Sequence, residues 1–272
     1  MRKWILKLTL AMSLTAGLLP TVAAPASAAS ADAAWLDTSY LSQGAIAVSY
    51  SANTTKRVKV MIAKASTVYT YDLNTSKKSE TFPLQSGAGS YEVTLLENTS
   101  GTSYKKIGSG SVELDSGSEN NVFLNSVQNV NWKDAKNATA LAAKLTAGKK
   151  TDKEKAQAIY NYVVSNVKYD FDLAKTVGTV YLPSADATLV SKKGICYDYA
   201  SLMGVMLRSQ GIPTKLVMGN TTYVKEYHAW NEIYLDGKWS IVDTTVDAAY
   251  KQAGKSISFV KDASQYSVQK VY

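Results

Sequence analysis

The 272 residues contain one cysteine, Cys196, and one histidine, His228; an aspartate, Asp243, follows them. A thiol, an imidazole and a carboxylate in that chain order are the parts of an activated acyl-transfer nucleophile. The thiol attacks a carbonyl carbon, the imidazole carries its proton, and the carboxylate orients the imidazole. Taken singly, a lone cysteine is more often an apolar packing residue, and a lone histidine a structural one. The local sequence around each must therefore decide between packing and chemistry.

Around Cys196 the chain reads Gly194-Ile195-Cys196-Tyr197-Asp198-Tyr199-Ala200. Gly194 tolerates backbone angles that other residues resist, which suits a tight approach to a helix. Ala200, Met203, Gly204 and Leu207 then recur at three- and four-residue spacing, one face of a helix. Arg208 and Gly211-Ile212-Pro213 are stop signals. Cys196 is thus expected at the start of that helix. There the dipole and the unpaired amides favour a thiolate and could also receive a developing oxyanion.

His228 and Asp243 fall on a predicted hairpin. Residues 228–235 and 238–242 are rich in aromatic and β-branched side chains, and Asp236-Gly237 between them is a two-residue turn signal. A tight turn sets Leu235 opposite Lys238, and therefore Asp243 opposite Trp230. His228 lies two residues further along, on the same face and within side-chain reach of Asp243. A slip of one residue would send Asp243 to the other face.

The segments Gly194-Ile195-Cys196-Tyr197-Asp198-Tyr199-Ala200, His228-Ala229-Trp230-Asn231-Glu232 and Trp239-Ser240-Ile241-Val242-Asp243-Thr244 resemble the three motifs of the transglutaminase-like superfamily. Leu207-Arg208-Ser209-Gln210-Gly211-Ile212-Pro213 also resembles the family, and the resemblance covers roughly residues 130–272. It implies a papain-like core, with Cys196 as nucleophile, His228 as base and acid, and Asp243 orienting the histidine. It implies no metal for the chemistry in the microbial branch; no cofactor is expected, and an exported location suggests a protein or peptide substrate, including wall peptide. It does not choose between crosslinking and hydrolysis, because relatives include proteases, amidases and inactive members. Many relatives carry proline where this chain has Thr244.

The start of the chain reads as an export signal, residues 1–29. Arg2, Lys3 and Lys7 precede a mostly apolar stretch at 8–19, and Ala26-Ser27-Ala28 is a small-residue cleavage pattern. The apolar core is too short for a good membrane span. The expectation is a secreted, soluble product, held at most at the cell wall. Without those three cations the balance of 30 Lys plus Arg against 22 acids leaves about +5. The lysines are scattered and no nucleic-acid motif accompanies them. One cysteine excludes an intrachain disulfide. A free thiol outside the cell invites oxidation, which makes its presence easier to explain by catalysis than by packing.

Residues 30–118 are rich in Ser, Thr, Gly and Tyr, with short alternating segments at 45–50, 58–63, 67–73, 91–95 and 107–114 separated by turn signals. This spacing predicts a small antiparallel, Ig-like sandwich. Residues 115–119 read as a linker. Residues 119–272 open with helices at 132–147 and from Thr151-Asp152-Lys153-Glu154, a capping box. Residues 171–190 are expected as a loop forming one cleft wall, with Tyr169 or Tyr181 as a potential oxyanion donor. Residues 257–260 read as one more strand, and 266–272 as a terminal strand without chemistry. The fold class expected is α+β: an all-β sandwich, then a papain-like transglutaminase core. The function expected is that of a secreted thiol enzyme acting on amide bonds. The competing reading is an inactive cell-surface binding scaffold that uses the sandwich.

Overall fold

The computed structural model describes residues 34–50, 56–117 and 120–272. The export signal at 1–29, the turn at 52–54 and the division between residues 118 and 119 lie outside or at the edge of that range.

The first part is built from strands β1 (Leu36–Asp37), β2 (Ala45–Val48), β3 (Val58–Lys64), β4 (Thr67–Leu73), β5 (Glu80–Pro83), β6 (Gly89–Ser100) and β7 (Ser103–Leu114). They form two antiparallel sheets, in the orders β1-β2-β5 and β4-β3-β6-β7. Alternation along β3 buries Val58, Val60 and Ile62, the period-two pattern of a sheet with one covered face. Phe82 of one sheet meets Tyr71 of the other with ring centroids 4.9 Å apart. Strands β1 and β5 are short and lacked a readable alternation in the sequence.

The second part contains α1 (Lys136–Thr146), α2 (Asp152–Asn166), β8 (Lys168–Tyr169), α3 (Phe171–Thr176), α4 (Ala185–Ser191), β9 (Lys193–Gly194), α5 (Cys196–Arg208), β10 (Thr214–Thr221), β11 (His228–Leu235), β12 (Lys238–Val242), α6 (Thr244–Gln252) and β13 (Tyr266–Val271). The antiparallel sheet runs β12-β11-β10-β13, and β8 pairs in parallel with β9. The Thr151–Glu154 capping box forms as the sequence predicts. Helix α5 is the buried centre of this part: from Asp198 to Arg208 every residue is buried. A helix covered on all sides is largely apolar, as Leu202, Met203, Val205, Met206 and Leu207 make it, and its buried Arg208 donates to Asn125 O, Thr214 O and Tyr272 O.

Two expectations change, and one element appears that the sequence reading does not place. Residues 171–190 are not one loop: Asp170 and Ser184 cap the short helices α3 and α4 with their side chains. Residues after Asp243 form α6, because Asp243 itself caps it. Residues 257–260 form no strand; Lys261 instead folds that segment back, donating to Ser258 O and to Asp247.

The two parts share their packing. Tyr69 and Tyr71 of β4 meet Tyr272 edge-on, at 5.7 and 6.0 Å. Gln128 donates to Asp72 O and Glu80, and the Tyr69 hydroxyl accepts from Val271 N. Among the described residues no helix is long and apolar enough to cross a membrane.

Candidate active site

Cys196 is the first residue of α5, with Ile195 as N-cap in extended backbone. Cys196 and Tyr197 are partly exposed, while the rest of the helix is covered. Asp198 fixes this start. Its Oδ2 accepts Ile195 N at 2.8 Å, closing the turn back onto the residue before the cysteine. Its Oδ1 accepts the Tyr181 hydroxyl at 2.6 Å. Burial raises the Asp198 carboxyl above its ordinary range, and these two donors oppose that. The sequence argument for Gly194 rested on backbone freedom. The structure gives a different reason: a Cβ there would sit 2.5 Å from Asp198 Cβ.

His228 opens β11 and is 4 % exposed; Asp243 follows β12 and is fully buried. The turn between the strands has φ +53° at Asp236 and +79° at Gly237, as a tight hairpin of right-handed twist requires. Leu235 pairs with Lys238 and Asn231 with Val242, so the inferred register holds along the hairpin. His228 Nε2 lies 2.9 Å from Asp243 Oδ2. This leaves Nδ1 free of Asp243, on a ring whose pKa Cys196 also raises. Burial acts most strongly on His228 and pushes its pKa down. The Asp243 hydrogen bond and charge, with Cys196, outweigh burial and raise it to about 10. The imidazole is therefore cationic at neutral pH, held so by the Asp243 carboxylate.

Asn231 links the two halves of the site. Its Nδ2, on β11, donates to Ala200 O of α5 at 3.0 Å and to Lys215 O of β10 at 3.1 Å. Gly204, one turn beyond Ala200, leaves room for Val130: a Cβ there would meet Val130 Cγ1 at 3.2 Å, while Asn231 Nδ2, at 3.6 Å, would be in ordinary contact.

The structure brings His228 and Asp243 into contact and sets Cys196 at the start of α5, where it acts on the imidazole. Of the two oxyanion candidates, Tyr181 spends its hydroxyl on Asp198, and the Tyr169 ring packs on Phe171 with centroids 5.0 Å apart. Tyr169 lies near enough to Cys196 to feel its charge, although burial contributes most to its raised pKa. Sequence reading missed Tyr266, whose hydroxyl donates to Asp243 Oδ2 at 3.0 Å. No local pattern marks it, because only the pairing of β13 with β10 carries it to the site. Among the described residues no group of three His, Cys, Asp or Glu side chains could hold a metal ion.

The arrangement is that of a thiol-enzyme domain. Residues 139–244 match the model of the transglutaminase-like superfamily. It is 30% identical over 105 residues to the human kyphoscoliosis peptidase, a match covering 35% of this chain and 16% of that protein. Among solved structures, a candidate cysteine protease from Cytophaga hutchinsonii is similar with TM-score 0.43 and 20% identity, covering 72% of this chain and 68% of the other. The periplasmic domain of TgpA from Pseudomonas aeruginosa is similar with TM-score 0.37 and 14% identity, covering 80% and 94%.

Proposed function

We propose that this chain is a secreted thiol enzyme that acts on amide bonds of proteins or peptides. The observation that supports the reading is the buried Asp243 carboxylate 2.9 Å from His228 Nε2, together with a partly exposed cysteine as the first residue of α5. Cys196 Sγ attacks the amide carbon. His228 takes the thiol proton at Nδ1 and returns it to the leaving amine. Asp243 keeps Nε2 occupied, so that Nδ1 is the nitrogen that works. Amides at the start of α5 receive the oxyanion. The resulting thioester passes to water, giving hydrolysis, or to a primary amine, giving transfer.

Residues 30–118 act in this reading as an Ig-like sandwich beside the enzyme domain at 119–272. Export through the signal at 1–29 directs the enzyme to extracellular protein or wall peptide. No cofactor or nucleic acid takes part. The test is incubation with glutamine-containing peptides and a fluorescent primary amine, followed by mass spectrometry for amine incorporation and peptide cleavage, and by ammonia release. Either product from the wild type, absent with Cys196→Ala, supports the reading. Full turnover by Cys196→Ala contradicts it. An unreactive Cys196 would make the chain a binding scaffold instead.

A further inference from the structure

Asp243 uses both carboxylate oxygens, and they serve different partners. Oδ1 accepts the amides of Thr245 and Val246 at 3.2 and 3.0 Å, the N-cap of α6. Oδ2 accepts His228 Nε2 and the hydroxyl of Tyr266. Tyr266 arrives from β13, where it pairs with Thr221 of β10. Its ring packs on Trp230 with centroids 5.0 Å apart, and Trp230 stacks on the His228 imidazole at 6.3 Å.

Resting on the reading of Cys196, His228 and Asp243 above, we propose that Tyr266 is a positioning residue that sets how tightly Asp243 holds the His228 proton, through the hydroxyl it donates to the shared Oδ2. The two α6 amides already fix the plane of the carboxylate, so the hydroxyl is not needed to aim it. What the hydroxyl changes is charge. A donor on Oδ2 takes up part of the negative charge that would otherwise pull on the imidazolium. Without it, the fully buried carboxylate keeps only the imidazole on that oxygen among the described residues, and holds the proton harder. A base that holds its proton too firmly returns it slowly to a leaving amine.

The other titratable groups nearby do not duplicate this contact. Asp247, one turn along α6, is paired with Lys261 and accepts the Tyr160 hydroxyl of α2 at 2.7 Å. Tyr223 meets the Tyr266 ring at 5.8 Å, a contact between rings. Cys196 acts on the imidazole, and Cys196 and Glu226 both act on Tyr169.

The presence of a single histidine makes the test unambiguous. The imidazole of His228 is titrated by NMR in protein labelled with 15N-histidine, in a Cys196→Ala background that removes the thiol. Tyr266→Phe, which keeps the ring against Trp230, is expected to raise the midpoint by about half to one pH unit. An unchanged or lowered midpoint overturns the proposal, because a tyrosine that only packs would leave the titration where it was. Asp243→Asn in the same background is expected to lower the midpoint. If it does not, the histidine–aspartate pair itself is not assembled, and the underlying reading of the site falls together with the role of Tyr266.

Discussion

Asp243 Oδ2 lies 2.9 Å from His228 Nε2 while Oδ1 of the same carboxylate caps α6. One buried side chain thus joins the hairpin to the helix that follows it, and does so with its charge. The consequence is separable by mutation. Asn caps a helix about as well as Asp, so above about pH 10, where the imidazole has lost its charge, Asp243→Asn is expected to leave the melting temperature within a few degrees of the wild type. It removes the anion opposite the imidazole, and amide turnover is expected to fall by at least about 100-fold. Thermal unfolding and kcat measured on the same preparation check both halves. Equal losses in stability and turnover would contradict the separation.

His228 also ties stability to pH. Its folded-state pKa is raised to about 10 from an ordinary 6.5, against the opposing effect of burial. The imidazolium form therefore stabilises the fold. That contribution is complete below the ordinary value and is lost as pH rises through the folded one. Between pH 6.5 and 10 the wild-type Tm is expected to fall more steeply than that of His228→Gln, which lacks the group. Parallel curves would contradict the linkage.

Gly194 tests the start of the cysteine helix. A methyl group there meets Asp198 Cβ at 2.5 Å, so either Asp198 or the β9 backbone must shift. Gly194→Ala is expected to cost about 1–3 kcal/mol and to slow alkylation of Cys196 by disturbing the Ile195–Asp198 contact. Urea unfolding and the labelling rate measure the two effects. A variant as stable and as reactive as the wild type would show that the contact is dispensable.

Asn231 is fully buried and donates to two carbonyls, Ala200 O and Lys215 O. Asn231→Leu keeps the approximate volume and removes both bonds. The expected loss is about 1–3 kcal/mol of unfolding free energy, the cost of leaving buried acceptors without a donor. Because the bond to Ala200 pins β11 against α5, turnover is expected to fall as well. Urea unfolding and steady-state kinetics provide the check.

Much of this geometry was legible because it is local. Asp236-Gly237 dictates a tight turn, the turn dictates the register, and the register brings His228 and Asp243 to one face. The helix after Gly194 was legible from its apolar spacing and its stop signals. What remained hidden depends on distant pairing or on very short elements. Tyr266 reaches Asp243 only because β13 adds to β10 across more than forty residues of chain. Helices α3 and α4 are 6 and 7 residues long, too short to show a period, and are marked chiefly by their caps. Helix α6 was concealed by the role of Asp243, which was read as a catalytic carboxylate and not also as an N-cap. The steric reason for Gly194 needs the position of Asp198 in space, which the sequence does not display.

The most direct measurement is the pH dependence of Cys196 alkylation by iodoacetamide, compared between the wild type and His228→Ala. With one cysteine in the chain, the label reports on that thiol alone. The account predicts rapid labelling of the wild type at pH 6, slowed by about tenfold or more in His228→Ala, as expected for a thiolate that depends on its imidazolium. Labelling that rises only in the alkaline range of a free thiol, along the same curve in both proteins, would contradict a working Cys196–His228 pair.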